Sequence, residues 1–239
     1  MSSPSDYRPD RYSFPSLDSI VAAERVLLSV LESHVLVGGA CVGFYVDDAG
    51  AAEVRPTDDV DAVVEIRTEL ERIKLDEKLR AAGLEPDMDG PICRWRHGDL
   101  KIDIMPSDSA ILGFTNRWYE AALASSISIA LPTLTLRIPD VCTFLGTKIE
   151  AFHGRGKRDL IASSDFEDIV RILDGCSFLT TESKRADPQV QDFVAGSFRV
   201  WLEEPSFIDA VSAHLMDSGD GARLNLVLGR IRAFVELLA

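Results

Sequence analysis

Cysteine is scarce and scattered: Cys41, Cys93, Cys142 and Cys176 are the only four in 239 residues, and no two form a CxxC pair. That spacing excludes a zinc-ribbon ligand set and a disulfide framework, and it points to reduced thiols in a cytoplasm. Long apolar runs are missing too. The longest stretch without a charge lies between Glu120 and Arg137, carries Pro132 and several hydroxyl residues, and falls short of the ~20 apolar residues of a membrane span. Met1 to Ser16 is polar and rich in Pro and Ser, so residues 1–15 read as a flexible leader rather than a signal peptide. Basic residues are outnumbered, 25 Lys plus Arg against 39 Asp plus Glu, for a net charge of −14. That balance argues against a protein that coats nucleic acid through a general positive field, but leaves one local basic patch open. The four histidines show no HExxH spacing, and no GxSxG or Walker A sequence occurs. Those absences count against zinc and serine hydrolases.

What is present is an ordinary globular composition, 46% apolar and 27% charged, long enough for one medium domain or a small catalytic domain with a helical appendage. Periodicity predicts a first helix over Leu17–Leu31, a buried strand at Val35–Val37, and a buried helix over Ala40–Val46. A strand at Val60–Ile66, a helix over Thr68–Ala82 stopped by Gly83, and a hairpin of 92–96 with 100–105 follow. A helix at Asn116–Ala124, two short β runs around Pro132, and helices over 140–153, 165–174, 188–203, 205–216 and 222–238 complete the reading. The expected fold is α+β, with a small mixed sheet. Residues 16–138 would form the α/β core, and residues 139–239 a helical C-terminal domain that completes the active site.

The segment Arg55-Pro56-Thr57-Asp58-Asp59-Val60-Asp61-Ala62-Val63-Val64 carries the most chemistry. Strand alternation puts Val60, Ala62, Val64 and Ile66 on one face, and Asp59, Asp61 and Glu65 with Val63 on the other. Two carboxylates side by side repel unless a cation lies between them, and hard oxygen ligands suit Mg²⁺ or Mn²⁺. Lys101-Ile102-Asp103-Ile104 adds a third acid if that strand pairs with the first. Gly38-Gly39, at a strand–helix junction, would let backbone N–H groups approach a phosphate. Lys148 interrupts the stripe Val141, Phe144, Leu145, Ile149, Phe152, so its ammonium needs an anion or must snorkel out. Ser164-Asp165-Phe166-Glu167 reads as a capping box, with Asp165 bordering the apolar stripe of its helix and Asp168 further out. Arg155-Gly156-Lys157-Arg158 is the one dense basic cluster. Bland readings stand beside each of these: surface acids, a tight turn, a snorkelling lysine, a first-turn acid.

Taken in order, Val37-Gly38-Gly39, Arg55 to Asp61, Asp103, Lys148-Ile149-Glu150-Ala151-Phe152 and Ser164 to Ile169 resemble the DNA polymerase β-like nucleotidyltransferase superfamily, and within it the AbiEii-type branch. The resemblance spans roughly residues 35–175. It implies a Mg²⁺-dependent transfer of NMP from an NTP to an acceptor hydroxyl on RNA, tRNA or protein. It further implies a cytoplasmic setting and a place among toxins of toxin–antitoxin systems, with an antitoxin protein as partner. It assigns catalysis to Asp59, Asp61, Asp103, Lys148 and Asp165, and metal binding to Asp59, Asp61 and Asp103. The nucleotide falls to Gly38, Gly39, Arg55, Thr57 and Lys148, and an RNA acceptor to Arg155, Lys157 and Arg158. Ala40, where the family commonly has Ser, keeps open a catalytically degenerate nucleotide-binding or protein-interaction module. A metal-dependent phosphohydrolase using the same acids also remains.

Overall fold

A computed structural model describes residues 14–155, 159–215 and 221–237. The fold is α+β. Helix α1 (Leu17–Val30) precedes strand β1 (Val35–Val37), a 3-10 helix (Gly39–Phe44), β2 (Asp59–Val64) and α2 (Glu69–Ala81). Then come β3 (Glu85–Pro86), β4 (Arg94–His97), β5 (Leu100–Pro106), α3 (Ser109–Leu112), α4 (Tyr119–Ala124), β6 (Ile127–Ala130) and β7 (Thr135–Ile138). Six helices follow: α5 (Val141–Arg155), α6 (Ser164–Gly175), α7 (Leu179–Ser183), α8 (Pro188–Leu202), α9 (Pro205–Leu215) and α10 (Ala222–Leu237).

The main sheet has strand order β1-β2-β5-β4-β3, and β6 pairs with β7 apart from it. Only β2 and β5 run parallel, with Asp61 opposite Asp103; the other neighbours are antiparallel. A parallel pair needs a crossover, which α2 supplies. Thr68 and Glu71 close a capping box at its start, and Gly83, at φ 84°, takes the left-handed turn at its end. One apolar face of the sheet, with Val60, Ala62, Ile102 and Ile104, lies in a core that continues through Phe144, Phe166 and Phe198 to Phe234. Val35, Val37, Val63 and Met105 pack on the other face with Tyr119. Alternation along β2 therefore gives two buried faces, and the acids emerge only at its N-terminal half.

Several details depart from the sequence reading. The 40–46 segment is a six-residue 3-10 helix, because it is buried throughout and must turn tightly between β1 and the loop. Strand β3 and helices α3 and α7, which are two to five residues long, are too short for periodicity to reveal. Of the leader, residues 1–13 lie outside the described residues. Phe14 is buried, with its ring 5.0 Å from that of Phe44, so the chain is already packed at that point. No helix among the described residues is long and apolar enough to cross a membrane. All four cysteines are buried and unbridged, and burial pushes the Cys93 thiol up to about 12, which keeps it protonated and unreactive.

Candidate active site

Strand β1 is followed by Gly38, whose φ of 75° only glycine adopts freely. A Cβ there would stand 1.8 Å from an Asp61 carboxylate oxygen, and one on Gly39 would stand 2.7 Å from the Arg55 guanidinium and 3.2 Å from an Asp168 oxygen. The glycine pair is therefore a floor on which site side chains rest. The buried helix expected behind it is a six-residue 3-10 helix, which lacks the length to build a macrodipole.

Asp59, Asp61 and Asp103 do come together, on the face opposite Val60, Ala62, Ile102 and Ile104. The cation among them is Arg94. From β4 its guanidinium grips Asp103 through two bonds, Nε to Oδ1 at 2.7 Å and Nη2 to Oδ2 at 2.8 Å, and also donates to Asp59 Oδ2. Sequence reasoning missed Arg94, although the signal was there. A turn at Gly98-Asp99 sets His97 opposite Leu100, and counting outward sets Arg94 opposite Asp103.

Lys148 does not snorkel. It is 6% exposed, and its Nζ lies 2.6 Å from Asp168 Oδ2 and 3.2 Å from Asp165 Oδ1. Burial alone would lower its pKa; Asp168, then Asp165 and Asp61, outweigh that and hold it above the ordinary lysine value. Asp168, expected to point outward, is 1% exposed and is the closer partner. Its second contact is Arg55, which donates to both its oxygens at 3.1 and 3.2 Å. A helical wheel drawn on the apolar stripe of α6 alone cannot anticipate this, because α5 and the 55–58 loop meet α6 beside that stripe. The N-cap of α6 is Ser163, not Ser164: its Oγ accepts the Phe166 N–H at 3.3 Å. Thr57 is tied to the start of α1 through Ser16 Oγ, 3.1 Å away, and donates to the Asp59 carbonyl.

These side chains line one cleft of about 660 Å³, with Gly38, Thr57, Asp61, Arg94, Lys148 and Asp165 on its walls. That is the size of a small-ligand site. Asn116 and Tyr119, also unforeseen, line it as well; the Asn116 amide donates to the Thr147 carbonyl at 2.7 Å and so fixes α4 against α5. The cleft is lined by the carboxylates of Asp58, Asp59, Asp61, Asp103 and Asp165 and by three cations, Arg55, Arg94 and Lys148, while Asp168 and Glu167 pair with Arg55 behind it. Negative charge is in excess, and a cation would offset it. The donor set thus fits a hard divalent ion in chemistry and charge. Among the described residues, though, no three acidic, His or Cys side chains are already drawn into ligating geometry, and two of the acids hold a guanidinium. Of the expected acceptor residues, the Arg155 side chain, Lys157 and Arg158 lie outside the described residues.

Set against models of known protein families and against curated proteins, the chain matches none.

Proposed function

We propose that this protein is a Mg²⁺- or Mn²⁺-dependent nucleotidyltransferase, as its resemblance to the AbiEii-type branch implies. The observation that carries the reading is the registry of Asp61 with Asp103 on adjacent parallel strands, beside Asp59 and the buried Lys148, in one cleft. Asp59, Asp61 and Asp103 would hold the ion, which when bound neutralises charge on the attacking and leaving oxygens. Asp103 takes the proton from the acceptor hydroxyl, the new O–P bond forms at the α-phosphorus, and the α–β bridging bond breaks to release pyrophosphate. Lys148 and Arg55, steadied by Asp165 and Asp168, face the polyphosphate as fixed positive charge. Gly38 and Gly39 carry no side chain, which lets Asp61 and Arg55 lie against the backbone and face the nucleotide.

The acceptor proposed is a hydroxyl of RNA, tRNA or protein, and the biological setting a toxin–antitoxin pair in a cytoplasm. A second reading, a nucleotide-binding module without turnover, is favoured by one specific observation: Arg94 already pairs with Asp59 and Asp103. Incubation with each labelled NTP, Mg²⁺ and total RNA separates the two. Label transferred to RNA or to protein supports transfer, bound but unreacted NTP supports the module, and free NMP or NDP supports a phosphohydrolase.

A further inference from the structure

Arg94 stands where a divalent cation would neutralise Asp59 and Asp103, and it does so through Nε and Nη2. Three of its hydrogen bonds end on those two carboxylates, and its side chain is 17% exposed. A guanidinium keeps its proton in a protein, so it cannot leave by losing it. It can only move. Its stem rises beside the turn at Gly90, where a Cβ would stand 2.9 Å from Arg94 Cδ, and it lines the same cleft as Lys148 and Asp165. A metal ion and the guanidinium therefore compete for the same oxygens.

We infer that Arg94 is a built-in competitor of the divalent cation: it holds Asp59 and Asp103 in the nucleotide-free protein, must swing off them for the ion to bind, and then meets the polyphosphate. The inference rests on the nucleotidyltransferase reading only for the nature of that anion. Forked N–H donors suit phosphate oxygens as well as carboxylates, so the released group finds an equivalent partner only when a triphosphate enters. Ion binding without nucleotide is weak because it strands the guanidinium. Ion and nucleotide thus arrive together, which limits idle metal loading of an acidic cleft.

The test is Mn²⁺ binding to the full-length protein without nucleotide, followed by electron paramagnetic resonance. Arg94→Met keeps the apolar stem, discards the charge and is expected to bind Mn²⁺ at least tenfold more tightly. Arg94→Lys, which keeps the charge, is expected to stay within threefold of wild type, and adding Asp103→Asn to Arg94→Met should abolish the gain. A folded Arg94→Met protein that binds Mn²⁺ no more tightly than wild type overturns the inference. Should Arg94→Met not fold, the wild-type protein gives the answer through the nitrogen resonance of Arg94 Nε. Saturating Mg²⁺ should shift it and speed its N–H exchange, and an unchanged signal overturns the inference. The two readings fail separately. Gain of Mn²⁺ affinity in Arg94→Met with no nucleotide transfer by wild type leaves Arg94 as the competitor and removes the transferase. Transfer by wild type with no gain in the variant does the reverse.

Discussion

Helix α6 carries a buried charge cluster at each end, and the two differ in what they leave unbalanced. At the C-terminal end, Asp174 is 1% exposed and accepts from the Ala52 N–H at 3.2 Å and from Arg223 Nε at 2.6 Å. Arg223 also reaches Asp48 at 2.9 Å, and Arg230 donates to the carbonyls of Leu173 and Asp174. Two acids face two bases, so this cluster is neutral and clamps α10 and the 47–56 loop onto α6. At the N-terminal end, Asp165 and Asp168 share Lys148, and Asp168 also holds Arg55, next to Asp61 and to Asp59 and Asp103, which share Arg94, and the cleft opens in front of them. Burial and ion pairing are common to both ends. Excess charge and open volume belong to one, and they, rather than burial, mark a place where chemistry can happen.

The sharpest way to break this contrast is to remove one acid from each end. Asp174→Ala leaves Arg223 with Asp48 and one carbonyl but unpairs its Nε–H and the Ala52 N–H, and should cost about 3 kcal/mol, the upper end for leaving buried donors unsatisfied. At this chain length that lowers the melting temperature by about 6–12 °C, while any nucleotide transfer per folded molecule is kept. Asp61→Asn should do the opposite. Transfer should fall by more than about 100-fold, with a melting temperature equal to wild type or higher because repulsion across β2 and β5 is relieved. Thermal melts and a transfer assay on both variants check this. An Asp61→Asn protein that unfolds would make the two ends alike.

Much of the site end was legible from residues alone, and the reasons are local. Alternation along 59–66 and 100–105 fixes which side chains share a face, so Asp59 and Asp61 could be grouped at once, and Asp103 with them on the condition that the two strands pair. The stripe around Lys148 likewise signalled an inward ammonium. What escaped depends on how elements meet. Asp168 is recruited by Lys148 from α5 and Arg55 from a loop, and neither contact is written in the spacing of α6. The clamp at Asp174 joins residues 48, 52, 174, 223 and 230 across most of the chain, and no short-range pattern connects them. Ser163 displaced Ser164 as the cap because the helix starts one residue earlier than its apolar stripe suggests.

Lys148 tests whether the site end holds any structural share. Lys148→Met leaves Asp165 and Asp168 with Arg55 alone, so NTP binding should weaken by about 1.5–3 kcal/mol, the scale of a hydrogen bond to a charged group. The stability difference from wild type has a definite pH signature. The folded-state pKa of Lys148 is raised above its ordinary 10.5, so its stabilising contribution is complete below that value and is lost as pH climbs through the folded value. Denaturant titrations of the two proteins should differ by a constant amount from neutral pH up to about pH 10 and converge above it. Convergence already near neutral pH would mean that Lys148 is not held by Asp168 and Asp165 as described.

The smallest effect concerns how the site end of α6 is fastened. Ser163 takes a non-helical φ of −80° and ψ of 117°, and its Oγ accepts the Phe166 N–H, satisfying a donor that the helix itself leaves orphaned. Asp165 follows two residues later, and its carboxylate contacts Lys148 from this first turn. Ser163→Ala should therefore cost about 1 kcal/mol of stability, and it should loosen the Asp165–Lys148 contact enough to raise the KM for NTP modestly. Ser164→Ala, inside the helix, removes no capping acceptor, and alanine is the better helix former, so it should change stability by no more than about 0.5 kcal/mol. Denaturant midpoints for the two variants decide the matter. Equal losses, or a larger loss for Ser164→Ala, would move the cap one residue along and detach Asp165 from the turn that aims it.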